Sequence, residues 1–202
     1  MTDWRDVVFK NRGSLLASVA LALLVFGRPS GVSALVGICI ALMGEVLRIW
    51  AVGYSGVTTR AEVVTAPALV TAGPYAIVRN PLYLGNAIIA LGFWFAFAGA
   101  LPWWLAALLL IFVLAAVGGV YGVIIPHEER YLAKTFGQYS AYMVTVPRIF
   151  PHGAGLPRSE QTGKWSSAVI ARAEVITLVF FALMVAAVLL KLGPLREWII
   201  GP

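Results

Sequence analysis

The segment from Gly73 to Asn86 reads GPYAIVRNPLYLGN and lies between two long apolar runs of the chain. It contains two prolines, an arginine, two asparagines and two tyrosines. A plain connector between membrane helices does not require this set of groups, so we interpret the segment as a site at a membrane surface. The composition agrees, because 60% hydrophobic and 12% charged residues depart widely from the roughly 25% charged residues of soluble domains.

The apolar runs around this segment predict about five transmembrane helices. A helix needs roughly 20 apolar residues to cross the hydrocarbon core, so the short first run must use residues 11–13 as well or cross obliquely. The predicted fold class is therefore all-α, a polytopic membrane protein that forms a single domain over residues 1–202. The predicted spans are residues 14–26, 32–52, 81–98, 102–125 and an additional C-terminal helix at 167–190.

The stretch from residue 53 to residue 80 predicts a loop of functional length. Glycine and proline recur along it, and its hydrophobicity is lower than that of the flanking runs. Within it, β-branched residues at 57–64 and 68–71 indicate extended backbone, from which we expect a small hairpin.

The second polar stretch begins at Pro126. A proline suits the first turn of a helix, and Glu128 and Glu129 complement the helix dipole there. We expect a separate amphipathic helix that lies under the membrane, followed by a loop over residues 147–165. Trp198 is expected to anchor the C-terminal tail at the interface.

The lysines and arginines predict the orientation of the chain. With a cytoplasmic N-terminus, 12 of the 15 fall on the inside and 3 on the outside, as the positive-inside rule requires. Residues 53–80 and 126–165 then meet on the cytoplasmic face as one composite site that opens into the bilayer, and the C-terminus lies outside. Anionic membrane lipids, rather than nucleic acid, explain the net charge of +6.

Two segments carry a resemblance to a known family. The sequence LVTAGPYAIVRNPLYLG at residues 69–85, followed by EERYL at 128–132 and VPRIFP at 146–151, resembles the isoprenylcysteine carboxyl methyltransferase family. That family belongs with the phospholipid methyltransferases, and the resemblance covers roughly residues 40–151. It implies an integral-membrane enzyme that uses S-adenosylmethionine, bound by the two cytoplasmic segments, to methylate a lipophilic acceptor.

The residue types in these segments match the needs of S-adenosylmethionine. Arg79 or Arg148 is expected to pair with its carboxylate, and Glu128 or Glu129 to accept from its ammonium or ribose hydroxyls. The tyrosines are expected to pack on adenine or face the sulfonium, and the glycines to allow close approach of the backbone. The predicted catalytic residues are Arg79, Glu128 and Glu129. The predicted cofactor-binding residues are Leu69, Val70, Gly73, Tyr75, Val78, Arg79, Asn80, Tyr83, Gly85, Asn86, Glu128, Glu129, Tyr142 and Arg148.

The acceptor determines whether a base is needed. A carboxylate such as that of prenylcysteine, or of a similar small isoprenoid, is ionised at pH 7 and needs none, whereas a phospholipid amine must lose a proton to Glu128 or Glu129. Asn80 stands where the resembled family commonly has histidine, and asparagine does not titrate, which favours an acceptor that needs no base. His127 and His152 lack the spacing of a metal site, so no metal is expected.

Several alternatives stay open at this stage. Glu45 and Arg48 form an intrahelical pair or line the cofactor cavity. The chain is alternatively a phospholipid N-methyltransferase, an NADPH-dependent membrane reductase or a non-catalytic membrane subunit. A reductase needs a basic cluster for the cofactor phosphates, and a transporter places ionisable groups near the bilayer midplane; neither pattern is evident. Membrane lipids and a lipophilic substrate are the expected partners, and the oligomeric state is open.

Overall fold

The computed structural model of the chain describes residues 4–55 and 66–193, apart from the side chain of Asp6. All regular secondary structure in these two ranges is helical, which confirms the predicted all-α class. Two short 3₁₀ turns lie at Gly73–Ala76 and Arg158–Glu160. The α-helices are α1 (Trp4–Lys10), α2 (Arg12–Phe26), α3 (Gly31–Ser55), α4 (Pro81–Ala98), α5 (Trp103–Thr135), α6 (Tyr139–Thr145), α7 (Ser167–Ala173) and α8 (Val175–Leu192).

Four of the described helices, α3, α4, α5 and α8, are long and apolar enough to cross a membrane. The chain is therefore an integral membrane protein. Helix α2 is apolar but has 15 residues, about 22 Å of helix, which is shorter than a hydrocarbon core of roughly 30 Å. Four of the five predicted spans are thus confirmed as helices of spanning length, and the first span stays a prediction.

Helices α3 and α4 approach each other through glycines. A Cβ atom at Gly44 would lie 2.7 Å from the carbonyl oxygen of Gly85, and one at Gly92 would lie 2.4 Å from the backbone nitrogen of Ala41. Small residues of this kind let two membrane helices touch backbone to backbone. The contact fixes the first turns of α4, which begins at Pro81 as predicted, against α3.

Helix α5 continues through Pro126, and the prediction of a separate helix beginning there is wrong. The helix runs for 33 residues, although a proline inside a helix removes one backbone hydrogen bond. Tertiary packing explains the continuity, because Ile124 and Ile125 before the proline and Glu129 after it are all buried. The same helix therefore extends from an apolar span into the polar region.

The last predicted span is divided at Glu174. Helix α7 ends at Ala173 and α8 begins at Val175, so the helix of spanning length starts eight residues later than residue 167. Glu174 is buried, and its carboxylate accepts two hydrogen bonds from the Arg48 guanidinium. An ionised side chain inside an apolar bundle needs such a partner.

The expected hairpin is not formed by the residues that the structure describes. Residues 57–64 lie outside the described ranges, as does Trp198, while residues 68–71 form an irregular segment without strand pairing. Here the backbone N–H groups of Thr71 and Ala72 donate to the carbonyl of Thr162. The loop over 147–165 is confirmed, and its end at residues 160–162 is tied to residues 69–72.

The two tyrosines of α6 pack inside the protein. Tyr139 and Tyr142 are buried in a cluster with Leu69, Ala76 and Val146. Their interior position means that α6 and the irregular segment before the 3₁₀ turn at Gly73 share one small core. This core brings the two predicted polar segments together.

Candidate active site

A cavity of about 580 Å³ lies among α1 to α6 and the junction of α7 with α8. This volume is in the range of roughly 300 to 1,000 Å³ typical of small-molecule sites. Nine of the residues predicted for the site line it, whereas Gly73, Val78, Gly85, Glu129 and Arg148 do not. The nine lining residues are Leu69, Val70, Tyr75, Arg79, Asn80, Tyr83, Asn86, Glu128 and Tyr142.

Glu129 joins the two predicted segments through both of its carboxylate oxygens. Arg79 Nε donates to Oε1 at 3.0 Å, and Asn80 Nδ2 donates to the same oxygen at 3.1 Å. Arg148 Nε donates to Oε2 at 2.9 Å. The Glu129 side chain is only 6% exposed, so these bonds form in a poorly solvated setting. We call Arg79, Asn80, Glu129 and Arg148 the Glu129 clamp.

The clamp is also tied to the backbone around the end of α6. Arg79 Nη1 donates to the carbonyl oxygens of Met143 and Val146, at 2.8 and 2.6 Å. The Arg79 N–H donates to the carbonyl of Pro147, and Asn80 Nδ2 also donates to the carbonyl of Arg148 at 3.1 Å. The planar guanidinium fork suits several acceptors at once. Much of the hydrogen-bonding capacity of Arg79 is therefore used within the protein.

Glu128 points in a different direction from α5 than its neighbour Glu129. Successive residues of an α-helix are about 100° apart, and Glu128 lines the cavity while Glu129 does not. The Tyr83 hydroxyl donates to Glu128 Oε1 at 2.7 Å, and the Tyr83 ring lies 4.7 Å from the ring of Tyr121. A carboxylate oriented by α4 is thus presented to the cavity.

A second ion pair lines the cavity, and it was not predicted. Arg48 Nη2 donates to both oxygens of Glu174, at 2.8 and 2.9 Å, and Arg48 Nη1 donates to Asn86. Arg48 therefore pairs with Glu174 rather than with Glu45, whose two carboxylate oxygens have no hydrogen-bond partner among the described residues. The sequence signal that could have indicated this pair is Glu174, an acid beside an apolar run. An ionisable residue in such a place marks a functional position by default.

Gly73 and Tyr142 shape the cavity wall around Tyr75. Gly73 has φ of +63°, and a Cβ atom there would lie 2.2 Å from the Tyr54 ring, so only glycine fits without displacing that ring. The Tyr142 hydroxyl donates to the Tyr75 carbonyl at 2.6 Å. Burial raises the pKa of the Tyr75 phenol, which remains a neutral donor at physiological pH.

Two of the residues predicted to bind the cofactor, Val78 and Gly85, pack within the protein instead. Val78 is 2% exposed and does not line the cavity. A Cβ atom at Gly85 would lie 2.8 Å from the Arg48 Cγ, so this glycine makes room for the Arg48 side chain. The close backbone approach predicted at Gly85 occurs between helices α3 and α4.

The donor and acceptor groups of the cavity suit S-adenosylmethionine. Arg48 lines the cavity, so a guanidinium, held by Glu174, is available at the wall for an anionic group. Glu128 offers carboxylate oxygens, and Tyr75, Tyr83 and Tyr121 offer aromatic surface. A cation, a carboxylate and aromatic rings are the partners that the amino-acid and adenine parts of this cofactor require.

The fold and the site together define a class of protein, an all-helical integral membrane protein with a polar cavity at the meeting of its helices and two motif segments. The family is identified by comparison with known proteins. A family model described as phospholipid methyltransferase matches residues 32–139, which is 108 of the 202 residues. The chain belongs to the phospholipid methyltransferase family. The finer resemblance, to isoprenylcysteine carboxyl methyltransferases, stays a prediction.

Two curated relatives are similar over part of the chain. A cobalt-zinc-cadmium resistance protein of Cupriavidus metallidurans is 35% identical over 94 residues, which cover 46% of this chain and 40% of the relative. A nickel-cobalt-cadmium resistance protein of Alcaligenes xylosoxydans xylosoxydans is 33% identical over 129 residues, covering 63% and 53%. The chain spans about half the length of these relatives. No solved structure matches it significantly.

Proposed function

We propose that this chain is an S-adenosylmethionine-dependent membrane methyltransferase that acts on a lipophilic acceptor. One observation carries the proposal: a single cavity is lined by a carboxylate, Glu128, held by Tyr83, and by a guanidinium, Arg48, held by Glu174. Membership of the phospholipid methyltransferase family supports methyl transfer, and S-adenosylmethionine is the usual methyl donor of such enzymes.

The lining residues suggest how the cofactor is held. The Arg48 guanidinium at the cavity wall favours the cofactor carboxylate, and Glu128 favours the ammonium or a ribose hydroxyl. Tyr75 supplies a ring for adenine. Arg79 lines the cavity as well, so it remains a candidate contact, although its Nε and Nη1 already donate within the clamp.

When bound, S-adenosylmethionine supplies a methyl group on a positively charged sulfur, and the protein's part is positioning. Tyr83 fixes the Glu128 carboxylate by one hydrogen bond, and Glu174 fixes the Arg48 fork by two. Groups held in this way contribute by orientation and by excluding water. The Glu129 clamp supports the site, since it joins α5 to the residues just before α4 and to the segment after α6.

For the acceptor we propose a carboxylate, such as that of prenylcysteine or a small isoprenoid acid. Asn80 uses its side-chain N–H groups on Glu129 and on the Arg148 carbonyl, so it serves as a structural donor and not as a base. A phospholipid amine is the alternative, and Glu128 would then take the proton. Incubation with methyl-labelled cofactor and a host lipid extract distinguishes the two, because alkali releases labelled methanol from a methyl ester but leaves an N-methyl amine intact.

The proposal includes a cytoplasmic N-terminus and active site, supported by the distribution of lysine and arginine. The proposal also includes a single domain over the whole chain, because Glu174, which follows the motif segments in the sequence, lines the same cavity as the motif residues.

The names of the two curated relatives concern metal resistance. Among the described residues no group of three or more His, Cys, Asp or Glu comes together, and we propose no metal site.

Calorimetric titration of the purified protein tests this function. We expect binding of S-adenosylmethionine and S-adenosylhomocysteine, and at least a tenfold loss of affinity in Glu128→Gln with the melting temperature retained. Glu160→Gln is the matched control, because Glu160 is exposed and does not line the cavity. Tight NADPH binding with no response to either adenosyl compound would establish the reductase alternative instead, and no response to all three ligands would favour a non-catalytic subunit.

A further inference from the structure

A second concavity, of about 500 Å³, lies between α1 and the part of α5 around Pro126. Its walls include Trp4 and Arg5 from α1, Gly122 and Arg130 from α5, and Arg148 from the segment after α6. We call it the α1–α5 groove. It is distinct from the larger cavity, with which it shares no lining residue.

The α1–α5 groove carries an excess of positive charge. Arg130 and Arg148 line it, and the acid that lines it, Glu129, already accepts hydrogen bonds at both oxygens. The Arg148 side chain is 54% exposed even though it pairs with Glu129. Arg130 Nε donates to the Pro126 carbonyl at 3.0 Å, which holds this guanidinium beside the groove. An anion is therefore the complementary ligand.

The rest of the groove is apolar and belongs to a membrane surface. Val123, Ala133 and Met143 line it, and Trp4 is 57% exposed beside them. Indole rings concentrate at membrane interfaces, and basic groups there attract anionic head groups. The residues of α5 that line the groove lie between Gly122 and Ala133, on the same helix that supplies a membrane span. Its occupant must therefore combine an anionic head with apolar chains.

We propose that the α1–α5 groove binds the phosphate of an anionic glycerophospholipid, with the acyl chains lying along α5 toward its apolar end. The lipid is held as a bound component and is not the methyl acceptor, because the Glu129 clamp lies between the groove and the cavity that holds Glu128. The site goes beyond the proposed function, and its test needs no cofactor.

Gly122 provides a direct way to close the groove. A Cβ atom there would meet nothing within 4 Å, so Gly122→Leu fills open space without disturbing an ion pair. Gly119 also has nothing within 4 Å of an added Cβ atom and lies on the same helix, but it does not line the groove. Gly119→Leu is therefore the matched steric control, and Arg158→Gln, which removes an exposed charge elsewhere, controls for net charge.

The experiment is native mass spectrometry of the full chain in a non-ionic detergent, titrated with phosphatidylglycerol, with diacylglycerol of the same chains and with free glycerol phosphate. We expect phosphatidylglycerol to bind at least threefold more strongly than diacylglycerol. Gly122→Leu and Arg130→Gln should each reduce this binding at least fivefold, while Gly119→Leu and Arg158→Gln retain it.

Several results would overturn the lipid site. They are equal binding of phosphatidylglycerol and diacylglycerol, wild-type binding in both groove variants, or equal losses in the groove and control variants. Binding of free glycerol phosphate as tight as that of the lipid would identify a soluble phosphate ester as the ligand. Each of these results leaves the methyltransferase proposal unaffected, since no step involves S-adenosylmethionine.

Discussion

The Glu129 clamp and the Arg48–Glu174 pair are each built around a buried glutamate, but they differ in what remains unbonded. In the clamp, both carboxylate oxygens of Glu129 have donors, and Arg79 also donates to two backbone carbonyls. In the second pair, Arg48 keeps one buried N–H without a partner among the described residues. Arg48 and Glu174 both line the larger cavity, whereas in the clamp Arg79 and Asn80 line it but the central Glu129 does not.

This difference separates a structural role from a binding role. A network whose donors and acceptors are all satisfied stabilises the protein and has little left for a ligand, and removing one member leaves uncompensated charge. Arg48 and Glu174, by contrast, line the cavity together, so a ligand bound there meets charged groups that are already oriented. We therefore expect substitutions in the clamp to change stability first, and substitutions around the cavity to change ligand affinity first.

The largest effect is expected for Glu129→Gln. The substitution removes the negative charge between two arginines, and breaking a buried pair of this kind costs about 3 kcal/mol or more. The melting temperature of the detergent-solubilised protein should fall strongly, whether or not ligand is present. Glu160→Gln, at an exposed position, should melt like the wild type. If the Glu129→Gln protein is stable and has lost only S-adenosylmethionine binding, Glu129 contacts the ligand and its structural role is wrong.

An intermediate effect is expected for Glu174→Gln. Glutamine is close to glutamate in size but leaves the Arg48 charge unneutralised, for which a stability loss of about 1 to 3 kcal/mol is reasonable. Because Arg48 is then less well oriented, S-adenosylmethionine affinity should also fall at least fivefold. Thermal melting and calorimetric titration of the same preparation measure both. An unchanged affinity would show that Arg48 does not contact the cofactor.

The smallest effect is expected for Tyr83→Phe. The variant keeps the ring beside Tyr121 and removes one hydrogen bond to Glu128, worth about 0.5 to 1.5 kcal/mol. Melting should change by a few degrees at most, while affinity for S-adenosylmethionine falls a few-fold because Glu128 loses its orienting donor. If the affinity loss of Tyr83→Phe adds fully to that of Glu128→Gln, the two side chains act independently and the orienting role is wrong.

The sequence predicted much of the fold because its signals are local. Pro81 begins α4 as expected, and the apolar run over 32–52 locates α3 to within a few residues. Helix α5 extends beyond its predicted end, and α8 begins eight residues later than predicted. The sequence also predicted that the segments around residues 73–86 and 126–151 meet, as the clamp now shows. The continuity of α5 through Pro126 was missed because local proline signals are overridden by burial on both sides.

The roles of the individual glutamates could not be predicted from the sequence. Glu128 and Glu129 are chemically identical neighbours, and only their position on a packed helix directs one to the cavity and the other to Arg79. Glu174 was assigned to the interior of a span, because nothing local shows that its partner, Arg48, lies 126 residues earlier in the chain. The pairing of these two residues depends on tertiary packing alone.

The length of α5 has a mechanical consequence. A single helix of 33 residues, about 50 Å long, is anchored at its apolar end by the bilayer and carries Glu128 near its other end. Helices respond to a change in hydrocarbon thickness by tilting, and a tilt of α5 shifts Glu128 relative to Tyr83 on α4. We therefore expect the acyl-chain length of the surrounding lipids to influence the geometry of the cavity through α5.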